Sequence, residues 1–63
     1  MTERDERILA AYQAGRQVYL ANTAIGLYVD VNDVAFRRYD DPEERDAFKD
    51  GYIGMRRRAR GGI

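Results

Sequence analysis

Four arginines, Arg56, Arg57, Arg58 and Arg60, fall within five consecutive positions near the end of the chain, and from Gly51 onward no acidic residue accompanies them. Guanidinium groups at this density can hold phosphates by charge and by paired N–H donors. Contacts of that kind give sequence-independent, salt-sensitive attachment to RNA. Arg37 and Arg38 are further candidates if the fold gathers them. A second use of the same residues is structural, because cations at a helix C-terminus complement its dipole. The overall balance of eleven basic against eleven acidic residues, with a pI near 6.2, suits that second use. A dedicated nucleic-acid domain usually has a pI above about 9.

Other chemistry is sparsely represented. The chain has no serine, cysteine or histidine, so the usual nucleophile–base pairs cannot be built. Thr2 and Thr23 have no histidine base to activate them. Carboxylate acid–base chemistry is formally open, but 63 residues give little scope for a water-excluding pocket of about 300 Å³. Asp30-Val31-Asn32-Asp33 begins like a calcium loop, yet Val34 and Ala35 stand where the motif needs a further ligand and a glycine. Asp40, Asp41, Glu43 and Glu44 are explained by helix capping rather than by a cation. The expectation is a non-enzymatic protein with no cofactor, no metal and no small-molecule substrate.

The elements that must position these residues follow from caps and periodicity. Thr2 with Asp5 three positions later reads as a capping box. Ile8, Ala11, Tyr12, Gly15, Val18 and Tyr19 then recur at helical spacing, which predicts a helix from Glu3 to about Ala21, stopped at Asn22. Leu9 and Leu20 lie off that stripe and widen the apolar arc. Ile25, Leu27, Val29 and Val31 alternate with Gly26, Tyr28 and Asp30, the pattern of an extended segment or strand, with a continuing helix as the alternative. Asn32 or Asp33 can cap a short helical turn in which Phe36 and Tyr39 share the buried side. Asp41 as N-cap, Pro42 as first helical residue, and Glu43 and Glu44 in the first turn open a helix that runs to about Arg60, where Gly61 and Gly62 end it. Glycine inside a helix costs about 1 kcal/mol against alanine. Close approach of two helices at Gly15 and Gly51 would offset that cost. The fold expected is mainly α, one domain over 1–63: an antiparallel two-helix hairpin with a short third helical turn and an extended, strand-like connection.

Two stretches, "AYQAGRQVY" and "DPEERDAFKDGYIGMRR", resemble the ribosome modulation factor family and its short phage and prophage relatives. Ala11 and Gly15 match a first helix; Pro42, Phe48, Gly51 and Tyr52 match a second. The resemblance implies a small helical protein that binds the ribosome near its RNA and promotes inactive ribosome dimers. Carried over residue by residue, it implies Arg16, Arg37, Arg38, Arg56, Arg57 and Arg58 as RNA contacts.

Aromatics and arginine are also the residue types that dominate protein interfaces. Leu20, Leu27, Tyr28, Val29 and Ile53 are therefore expected to form an exposed protein-binding surface. Two functions stand open: a protein-binding module, such as a phage- or mobile-element-encoded inhibitor, modulator or assembly component, and a ribosome- or RNA-associated modulator. A chain this small has a marginal core, so the working form is expected to be an oligomer or a complex. No signal peptide or apolar run of spanning length is legible, and the expected setting is the cytoplasm of a bacterial or phage-infected bacterial cell.

Overall fold

The computed structural model describes residues 2–61. They form three helices: α1 (Glu3–Ala24), α2 (Val31–Arg38) and α3 (Pro42–Gly61). The fold is mainly helical, with the two long helices packed on each other and the short one packed against α3.

Local signals account for most helix boundaries. At the start of α1, the Asp5 amide donates to Thr2 Oγ1 and the Thr2 amide donates to Asp5 Oδ2, both at 3.2 Å, completing the capping box. The helix does not stop at Asn22. It continues to Ala24, and Gly26, at φ +71°, turns the chain. The Gly26 amide donates to Thr23 O and the Leu27 amide to Asn22 O, so the last carbonyls are satisfied by a left-handed glycine cap. Asp30, rather than Asn32 or Asp33, caps α2 through the Asn32 amide at 3.0 Å. Asp41 accepts from the Glu43 amide at 3.1 Å and starts α3 at Pro42. Gly61 belongs to α3, and Gly62 lies outside the described residues.

No strand forms among the described residues of the segment expected to be extended or a strand. Ile25 and Gly26 make a turn, residues 27–30 have no regular structure, and Val31 is the first residue of α2. Among the described residues there is no second strand to pair with, and a lone strand leaves its ladder groups unmet. The alternation breaks at Gly26. Ile25 and Leu27 are exposed, whereas Val29 and Val31 turn inward.

The two long helices approach as the glycines suggest, but not in the expected direction. A Cβ on Gly15 would strike the Phe48 carbonyl, and a Cβ on Gly51 would strike the Tyr12 carbonyl. Farther along, the Tyr19 and Tyr52 rings meet edge to face, with centroids 5.2 Å apart. Toward the helix starts, Arg4 pairs with Asp41 at 3.4 Å and Glu43 at 3.2 Å. Advancing along α1 thus advances the partner along α3, so the two helices run parallel. The antiparallel hairpin is corrected by this register. The connection makes parallel pairing feasible, because α2 carries the chain back. Val29, just before α2, lies beside Tyr52 and Arg56, while Tyr39, just after it, packs on Phe48.

The core is built around α3, which packs against both α1 and α2. Ala11, Val31, Ala35, Ala47, Phe48 and Tyr52 are buried, and Phe48 is wholly so. Ile8, Val18, Tyr19 and Tyr39 pack against them. The expected inward Phe36 is instead 66% exposed, because Val31 and Ala35 define the buried face of α2. The Arg45 guanidinium lies 4.5 Å from the Phe36 ring centre, and its Nε donates to Tyr39 O at 2.6 Å.

Candidate functional site

Parallel packing segregates charge along the molecule. Glu3, Asp5 and Glu6 open α1, and Glu43 and Glu44 open α3, so both positive dipole ends meet acids at one end. Arg4 bridges the two helices there. At the other end the chemistry reverses. From Gln17 to Val29 the sequence carries no charge, and from Gly51 to Gly61 it carries four arginines and no acid. An antiparallel pair would have mixed these segments. A net charge of zero therefore conceals an acidic end and a basic end.

At the basic end a cleft of about 210 Å³ opens between three segments. Helix α1 contributes Tyr19 and Thr23, the α1–α2 connection Tyr28 and Val29, and α3 Tyr52, Arg56 and Arg60. Arg56 and Arg60 are one helical turn apart on the same face. Both are exposed, and among the described residues neither makes an ion pair. The Thr23 hydroxyl donates back to Tyr19 O at 2.8 Å, so its proton is already used within α1.

Tyr28 forms the outer wall and is 89% exposed. Its neighbour Leu27 is half-exposed and Ile25 is 75% exposed. Leu20, also exposed, lies on α1 in a separate depression with Gln13, Arg16 and Gln17. Of the five residues expected to form a protein-binding surface, Leu20, Leu27 and Tyr28 are exposed; Val29 and Ile53 are partly buried. Val29 packs on the core. Ile25 and Phe36 are exposed apolar residues that the sequence reading did not select.

The arginines expected to bind RNA do not form one surface. Arg56, Arg57, Arg58 and Arg60 share the last turns of α3. Arg37 pairs with Asp33 at 3.2 Å, and the Arg38 guanidinium stands 5.5 Å from the Phe48 ring centre. Phe48 is two turns before Arg56, about 12 Å along the axis. Arg16 is on α1. No group of three metal-ligating side chains occurs among the described residues, and no helix there is long and apolar enough to cross a membrane.

No protein-family model, curated protein or solved structure matches this chain.

Proposed function

We propose that this chain is a small non-enzymatic binding protein that acts by docking its basic, aromatic end onto another protein, as an inhibitor, modulator or assembly component of the phage or mobile-element kind. The observation that carries this reading is Tyr28, 89% exposed beside exposed Ile25 and Leu27. A monomer gains nothing from holding an aromatic and two large aliphatic side chains in water on one short connection, and such patches mark interaction sites. Aliphatic side chains also favour a protein over a polynucleotide, whose bases are recognised by stacking on flat rings and by hydrogen bonds.

The test is affinity capture from a bacterial lysate with and without nuclease, comparing the parent with Tyr28→Asp. The reading predicts a protein that survives nuclease and is lost in the variant. Capture that nuclease abolishes contradicts it.

A second reading draws on the four exposed arginines of α3, which have no acidic partner among the described residues. They suit a ribosome- or RNA-associated modulator of the ribosome modulation factor type. Under that reading the captured material is ribosomal and nuclease releases it.

A further inference from the structure

We propose that the cleft between Tyr28, Tyr52, Arg56 and Arg60 is the seat of an acidic segment of the partner protein, which inserts one apolar side chain and sets flanking carboxylates on the two guanidiniums. This inference rests on the protein-binding reading and names the chemistry of the partner.

Size selects a side chain over a free ligand. At about 210 Å³ the cleft is smaller than the roughly 300–1,000 Å³ of small-molecule sites. It suits one large apolar side chain against the lining of Tyr19, Tyr28, Val29 and Tyr52.

Charge selects an acidic flank. Arg56 and Arg60 project from one face of α3. The neighbouring surface from α1 and the connection contributes no charge until Asp30, whose carboxylate caps α2. A guanidinium offers a carboxylate paired donors in a fixed fork, and such charge-assisted bonds are about twice as strong as neutral ones. Two forks one turn apart match carboxylates placed on either side of the inserted residue.

The same charge argues against a second copy of this chain docking through the same end. A two-fold contact there would set the two α3 arginine clusters against each other. Like charges across an interface cost several kcal/mol.

The test is a titration of the full chain, followed by amide and arginine Nε–H NMR signals. The probe is a blocked pentapeptide with phenylalanine at its centre and two glutamates on each side. The controls are the same peptide with lysines for glutamates, and single-stranded oligouridylate. The proposal predicts saturable shifts at Tyr28, Tyr52, Arg56 and Arg60 with the acidic peptide alone. An Arg56→Gln/Arg60→Gln double variant that keeps its spectral dispersion should bind at least about tenfold more weakly, the equivalent of about 1.4 kcal/mol. Unmoved cleft signals at millimolar peptide, shifts confined to another face, or equal shifts with the lysine peptide overturn it. So do cleft shifts produced by oligouridylate and not by the acidic peptide. If the peptide fails while Tyr28→Asp still abolishes nuclease-resistant capture, the protein-binding reading stands and this assignment of the cleft falls.

Discussion

Gly15 faces the carbonyl oxygen of Phe48 so closely that a methyl group on its α-carbon would collide with it. The Tyr52 amide nitrogen is only 3.0 Å from the same point. Gly51 stands in the reciprocal relation to Tyr12, with the Arg16 amide nitrogen at 3.3 Å. The Ala-x-x-x-Gly motif of each helix thus meets that of the other, and backbone lies against backbone where they cross.

Gly15, Gly51 and Gly54 therefore separate into two kinds. Gly15→Ala and Gly51→Ala put a methyl group into rigid backbone, and overpacking of that sort costs about 1–3 kcal/mol or more. For a domain of this size each kcal/mol lowers Tm by about 4–8 °C. Gly54 has only the Tyr12 hydroxyl nearby, at 3.8 Å. Gly54→Ala is expected to stabilise by up to about 1 kcal/mol through helix propensity. Thermal unfolding of the three variants checks the pattern, and equal losses at all three positions would contradict it.

Asp30 links the fold to the cleft, since its carboxylate starts α2 immediately after Tyr28 and Val29. Asp30→Ala should cost about 1 kcal/mol of stability, the usual loss for an N-cap. Asp33→Ala removes an exposed pair with Arg37 and an exposed acid in the first turn of α2, and the change should stay within about 0.5 kcal/mol. Urea unfolding distinguishes them, because a cap and a surface ion pair predict different midpoints.

Salt separates the two readings of the arginines. Two exposed guanidinium–carboxylate contacts are only moderately screened, so partner affinity should fall by no more than about tenfold between 50 and 200 mM salt. Four phosphate contacts, one for each arginine at the end of α3, would lower it by about 50- to 150-fold over that range. Binding measured across the range by anisotropy or calorimetry shows which slope holds.

The features legible in the sequence are those set by neighbours in the chain. Thr2 with Asp5, and Asp41 with Pro42, mark helix starts because caps need only residues a few positions away. Gly15 and Gly51 mark a close approach because glycine in a helix needs a compensating contact. Helix direction is not written in those glycines, since small residues permit close packing either way. It follows from α2, which returns the chain to the start of α1 and brings Asp41 to Arg4. Once direction is misread, the segregation of charge cannot be seen, and the basic end looks like an ordinary helix terminus. Tyr28 is legible as exposed. Ile25 is not, because the alternation hides that it caps α1, where it is exposed before Gly26 turns the chain. The spacing of Phe36 and Tyr39 predicts an inward Phe36, but Val31 and Ala35 occupy the buried face of α2.

The cleft, the basic end and the proposed partner chemistry all depend on α1 and α3 running parallel. The chain has no cysteine, so two introduced thiols can carry spin labels without background. Ala21, Glu43 and Arg57 are exposed and suit labelling. Spin–spin distances in Ala21→Cys/Arg57→Cys and Ala21→Cys/Glu43→Cys measure the direction itself. The parallel arrangement predicts the first pair to be the nearer one, because the second is offset by about 20 Å along the axis, the rise between positions 43 and 57. The reverse order, with Ala21 nearer to Glu43 than to Arg57, would contradict it.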